Sequence, residues 1–232
     1  MSNLYQIAID GPAAAGKSTV AKLTAKRLGA FYVNTGEMYR TIAWACLKEG
    51  IDPVHEADKV EAALTRWTMT FQNDGNGEID IIFNGQPVVK AELRTAEVAM
   101  ASSNVAKIPA VRTWMLQKQR DCRLLGTIIM EGRDICTVVL PDATAKFFIT
   151  ATPEERARRR FAQSGEIAAG ATIQSVAAEI AERDRQDENR PIAPLKPAPD
   201  ATLIITDGMT PEQVTDRVIE IFKERCASQE GM

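Results

Sequence analysis

A chain of 232 residues, 45% hydrophobic and 25% charged, has the make-up of a globular protein large enough to build a full core. A net charge of −3 and an isoelectric point near 5.4 argue against a broad basic surface that coats nucleic acid. No apolar run approaches the roughly 20 residues that a membrane helix requires, and no basic stretch precedes an apolar core near the N-terminus, so a cytoplasmic location without membrane contact is expected.

In chain order, the first apolar run, Tyr5 to Asp10, is read as a strand. It leads into Gly11-Pro12-Ala13-Ala14-Ala15-Gly16-Lys17-Ser18-Thr19, which matches G-x-x-x-x-G-K-[ST] between a strand and a helical pattern. Backbone amides and the positive helix end would face the phosphates of a nucleoside triphosphate, Lys17 would neutralise the β and γ oxygens, and the Ser18 hydroxyl would ligate Mg2+. A second short strand follows at Phe31 to Asn34.

From Thr68 to Val89 the rhythm changes. Three short β patterns, Met69 to Phe71, Ile79 to Phe83 and Pro87 to Val89, are separated by Asn73-Asp74-Gly75 and Asn84-Gly85, which predicts a small antiparallel insert. The strand pattern at Thr127 to Met130 runs straight into Glu131-Gly132-Arg133-Asp134, on the edge where α/β proteins bind ligands. Carboxylates there can order a metal or its waters, and Arg133 offers a planar fork for phosphate; a plain surface turn is the competing reading.

After the strand at Lys146 to Thr150, Thr152-Pro153-Glu154-Glu155 marks a capped helix start. Arg156, Arg159 and Arg160 sit on this helix. It runs into a glycine- and alanine-rich segment, Ser164 to Thr172, which suits a mobile lid as well as an ordinary basic helix followed by a loop. Beyond it the stripe Ile173, Val176, Ile180 continues at helical spacing into Arg183, Asp187 and Arg190. Those charges either face a cleft that receives an anion or pair within the helix at a solvated end. Four prolines between Pro191 and Pro199 form an extended strap. A last strand at Thr202 to Thr206 precedes a second capped start, Thr210-Pro211-Glu212-Gln213, and a helix with Val214, Val218, Ile221 and Phe222 on one stripe.

Alternating strands and helices predict an α/β fold with a mostly parallel sheet covered on both faces. Cys46, Cys122, Cys136 and Cys226 form no Cys-x-x-Cys pair and are read as reduced packing residues; His55 is given no role, and Trp44, Trp67 and Trp114 are read as core. An Asn-Lys-x-Asp guanine motif, which a GTPase switch would carry, is missing from the sequence.

Taken together, the phosphate loop, Asn34-Thr35-Gly36-Glu37-Met38-Tyr39-Arg40, the Glu131 to Asp134 run and Glu182-Arg183-Asp184-Arg185-Gln186-Asp187-Glu188-Asn189-Arg190 resemble the bacterial cytidylate kinase family across essentially the whole chain. The resemblance implies a P-loop three-layer α/β/α fold with a parallel central sheet. Its core would span about 1–36, 104–152 and 190–232, with a monophosphate-binding β insert at about 37–103 and a short helical lid at about 153–189. It implies ATP as phosphate donor with Mg2+, CMP and dCMP as acceptors, and a monomer that binds no nucleic acid. By the same resemblance, Thr35, Arg40, Arg112, Arg133, Asp134, Arg183, Asp187 and Arg190 form the CMP site, with Arg183 and Asp187 at the cytosine or sugar. Arg156, Arg159 and Arg160 serve ATP and the transition state, and Lys17 and Arg133 act on the transferring phosphate. The family usually carries aspartate at position 131 and glycine at position 136, where this chain has Glu131 and Cys136.

Overall fold

The computed structural model describes residues 4–75, 77–162 and 170–230. Five parallel strands make the central sheet: β1 (Gln6–Asp10), β2 (Phe31–Asn34), β6 (Ile128–Gly132), β7 (Ala145–Thr150) and β8 (Thr202–Ile205), in the order β2-β6-β1-β7-β8. Central β1 pairs with β6 (Ile7 opposite Ile129) and with β7 (Ile7 opposite Ala145). Both sheet faces are covered at its centre, which is why β1 and β6 are buried along nearly their whole length, with Ile7, Ile9 and Ile129 fully so, while β7 alternates around buried Phe147.

On one face lie α1 (Lys17–Leu28) and the long C-terminal α8 (Pro211–Glu230), whose Val214, Val218, Ile221 and Phe222 join the strand residues in one apolar cluster. Thr210 and Gln213 cap α8 reciprocally, side chain to backbone, in the way the sequence pattern predicts. The opposite face is closed by a wide π-helical turn at Ile135–Val139, with Cys122, Cys136 and Leu140 in a second cluster.

A third cluster belongs to α2 (Thr35–Lys48), α3 (Ala57–Leu64), the antiparallel sheet β3 (Met69–Asn73), β4 (Ile79–Phe83) and β5 (Gln86–Pro87), α4 (Ala96–Val105) and α5 (Pro109–Asp121). Asn84 and Gly85 both take positive φ, 49° and 78°, as a tight two-residue hairpin requires. Trp67 packs edge-on to Phe83 within this cluster, Trp44 does the same from its rim, and Trp114 lies partly buried beside it. The fourth cluster is small: Ala13, Ala157, Val176 and Ile180, where α6 (Pro153–Ala162) and α7 (Ile173–Glu188) meet the phosphate loop.

Strand ends shift by a residue or two from the sequence reading, and three departures bear on the site. The strand expected to stop at Met130 continues to Gly132, because Glu131 pairs in the ladder opposite Ile9 and Asn34. The third insert strand is only Gln86–Pro87, although Val88 still donates to Ile81 O. On α7 the buried positions are Val176, Ile180 and Asp184, each four apart, and Ile173 is exposed. The inward face therefore drifts, leaving Arg183 and Asp187 on its flank. Of the segment 164–172, residues 164–169 lie outside the described residues; Thr172 forms a capping box with Ser175 at the start of α7.

Candidate active site

At the C-terminal ends of β1, β2 and β6 the chain opens into a cleft of about 580 Å³, where the strand order reverses around β1. The phosphate loop is its floor. A Cβ at Gly11 would lie 1.9 Å from Ile149 O, and the backbone there has φ 150°, so only glycine lets the loop lie flat against β7. Ala14 and Gly16 also take positive φ, which curls the loop into a concave run of amides.

Lys17 is buried and donates to Pro12 O at 2.8 Å. Burial, and then the charge of Arg133, lower its pKa to about 7. An arriving polyphosphate would restore the charged form. At pH 8 nucleotide binding should therefore take up nearly one proton at this site, an uptake that fades by about pH 6 where Lys17 is already charged. Calorimetry of ATP binding in two buffers of different ionisation heat measures this; equal heats at pH 8 would show that Lys17 is already protonated in the free protein.

Beside the loop, Ser18 and Tyr32 both donate hydroxyl hydrogens to Glu131 Oε1, Tyr32 at 2.8 Å. The Thr35 hydroxyl donates to Glu131 O at 2.7 Å, fixing the start of α2 to the end of β6. Beneath them Asp10 accepts from Ile135 N (2.8 Å) and Cys136 N (2.7 Å), which anchors the turn that follows Arg133 and Asp134. Burial pushes the Asp10 carboxyl up to about 6.

Arg133, close enough for its charge to act on Lys17, donates through Nε to Asp187 at 2.8 Å, and Arg190 Nη1 lies 3.9 Å from the same carboxylate. Asp187 thus pairs across elements and not within α7. Burial alone would raise its pKa, but Arg133, Arg190 and Arg183 outweigh that and hold it below the usual range. Arg183 is depressed to about 10 by burial and then by Arg133. Arg190 Nε is buried without a hydrogen-bond partner among the described residues. Basic side chains around the cleft outnumber acidic ones: Lys17, Lys22, Arg40, Arg94, Arg133, Arg160, Arg183 and Arg190 face Glu37, Glu131, Asp134 and Asp187. Such an excess of positive charge around one cleft, with Lys17 and Arg190 buried, suits anions that would meet it.

A cytidylate kinase family profile matches residues 7–224. The chain belongs to the cytidylate kinase family. It is 43% identical over 223 residues to the cytidylate kinase of Clostridioides difficile (strain 630), covering 94% of this chain and 98% of that one. The cytidylate kinase of Geobacillus sp. (strain WCH70) is 42% identical over 227 residues, covering 97% and 99%. The bifunctional pantoate ligase/cytidylate kinase of Synechococcus elongatus is 41% identical over 222 residues; 94% of this chain is covered, and it spans 42% of that longer protein.

In this cytidylate kinase family member the cleft brings together Ala13, Ala14, Lys17, Ser18, Thr35, Arg40, Arg133, Asp134, Arg160, Arg183, Asp187 and Arg190. Arg40 also donates to Leu93 O at 2.9 Å, tying α2 to the insert. Arg112 stands behind the wall: it is buried, bonds the Asp134 carboxylate, and lies 6.0 Å from the centre of the Tyr39 ring. Two of the three lid arginines are placed away from the cleft. Arg156 is buried against Asp184 and donates to Ala13 O and Ala151 O. Arg159 donates to the Thr206 hydroxyl and carbonyl, at 2.8 and 2.9 Å, and braces the outside of the loop through Ala15 O.

Sequence reasoning missed Asp184, whose carboxylate accepts from Ala13 N at 3.0 Å and so clasps the phosphate loop together with Arg156. Its place four residues after Ile180 was the available signal. Tyr32 and Asp10 were also missed: Tyr32 lies inside a short apolar strand and reads as core, and Asp10 ends a strand just ahead of the more conspicuous phosphate loop.

Proposed function

We propose that the protein transfers the γ-phosphoryl group of ATP in line to a phosphate oxygen of CMP or dCMP, giving ADP and CDP or dCDP. What carries this reading is the gathering of cationic groups in one cleft, Lys17 on the phosphate loop together with Arg133, Arg183 and Arg190. Two polyanions repel, and an enzyme that joins them must first neutralise both. The acceptor is already an oxyanion: its oxygen forms the new bond to the γ-phosphorus as the bond to the ADP oxygen breaks, and no general base is needed. A hydroxyl acceptor would need a carboxylate base, and Asp134, the residue the sequence offers for that role, has one oxygen committed to Arg112.

The donor set suits Mg2+, which takes hard oxygens and keeps most of its shell as water and phosphate. Ser18 would hold the ion with Glu131 beside it, and a bound ion would add positive charge where the phosphates meet. Asp134 presents an acceptor on the cleft wall, suited to the exocyclic amino group that cytosine has and uracil lacks.

ADP release should be measured with ATP and Mg2+ and with CMP, dCMP, UMP, AMP, GMP or no acceptor. CMP and dCMP should give the fastest release, with kcat/KM for UMP lower by at least about tenfold. UMP turned over faster than CMP, or release without any acceptor, overturns the reading.

A further inference from the structure

Tyr32 belongs to none of the groups given a role above, yet three separate contacts converge on it. Its hydroxyl donates at 2.8 Å to Glu131 Oε1, the oxygen that also accepts the Ser18 hydroxyl. Its backbone carries the insert: Tyr32 N donates to Gly77 O at 2.9 Å, and Tyr32 bridges to Glu78 as a short parallel pairing. Over its ring, at 5.2 Å, lies Lys22 Nζ, which also bonds Glu78 Oε1 at 2.6 Å.

A buried phenol needs some partner, and a backbone carbonyl would have served. Here the partner is instead Glu131, the carboxylate that accepts from the phosphate-loop serine. Glutamate has one more rotatable bond than aspartate, so a carboxylate at position 131 needs a second restraint to keep a fixed direction. The two hydroxyls supply it by gripping a single oxygen from opposite elements, α1 and β2.

We propose that Tyr32 is a positioning residue for the phosphoryl transfer inferred above: its hydroxyl holds Glu131 against Ser18, and its backbone pairing ties that carboxylate to the seating of the β insert. It acts on the reacting groups only through Glu131. The nucleotide–metal end of the cleft and the acceptor-side insert thus share one residue.

Tyr32→Phe removes the hydroxyl and keeps the ring, the Lys22 contact and the backbone pairing. Electron paramagnetic resonance titration of Mn2+ into the protein–ADP complex reads the effect directly; affinity should weaken by about tenfold, the scale seen when a group supporting a metal's neighbours is lost. The rate constant kcat should fall by a similar factor while KM for CMP stays within about twofold. In the Glu131→Asp background, where the shorter carboxylate falls away from the phenol, Tyr32→Phe should change neither quantity further. Mn2+ affinity within about twofold of the parent, or full additivity of the two substitutions, overturns the proposal. Because the Mn2+–ADP titration contains no acceptor, failure of the CMP reading in the turnover assay would not alter its result.

Discussion

Replacing Asp184 with alanine should cost about 3–5 kcal/mol of folding stability, read from urea unfolding, because it strands the Arg156 guanidinium in a buried site. Asp184 and Arg156 are 6% and 8% exposed, too little for water to replace the lost carboxylate. The substitution also frees Ala13 N and loosens Arg156 at Ala13 O, so the loop loses two of its braces and KM for ATP should rise. A companion variant separates charge from packing. In Asp184→Leu with Arg156→Met the buried charge is gone, and much of the stability should return while the ATP defect remains. A loss under about 1 kcal/mol for Asp184→Ala would mean that Arg156 finds another partner.

The second large effect falls on rate. Arg133→Lys keeps the positive charge but is one bond shorter and loses the planar fork that bonds Asp187 through Nε while facing the cleft. Single-turnover kinetics should show transfer slowed by about 10²–10³, the scale for removing one positioned donor from a transferring group. Thermal stability should change little, because Arg190 and Arg183 remain near Asp187. Slowing by less than about threefold would place Arg133 outside the transferring phosphate's reach.

Much of the architecture was legible because its signals are local. The phosphate loop carries its own flanking strand and helix, the caps at Thr152 and Thr210 announce helices, and Asn84-Gly85 announces a hairpin. The strand at Ile128–Gly132 was read too short because a carboxylate looks like the end of an apolar run; Glu131 stays in the ladder since three hydroxyls, from Ser18, Tyr32 and Thr35, satisfy its side chain and carbonyl. The lid arginines show the opposite limit. Their clustering signals positive charge near the nucleotide, but spacing does not say which will find a protein carboxylate. Arg156 reaches Asp184, 28 residues further along the chain, a pairing that only the fold creates.

The smallest of the four apolar clusters has a consequence of its own. Ala13, Ala157, Val176 and Ile180 bury little hydrocarbon, so polar contacts add much of the hold of α6 and α7 on the phosphate loop: Asp184 accepts from Ala13 N, and Arg156 and Arg159 donate to Ala13 O and Ala15 O. A pair of helices held by so few apolar contacts can open as a unit well before the sheet loses any of its own protection. Opening of that unit would cost only part of the global unfolding free energy and would uncover the phosphate loop. Under the proposed reaction, the same polar contacts that brace the loop would also bear on how quickly nucleotide departs.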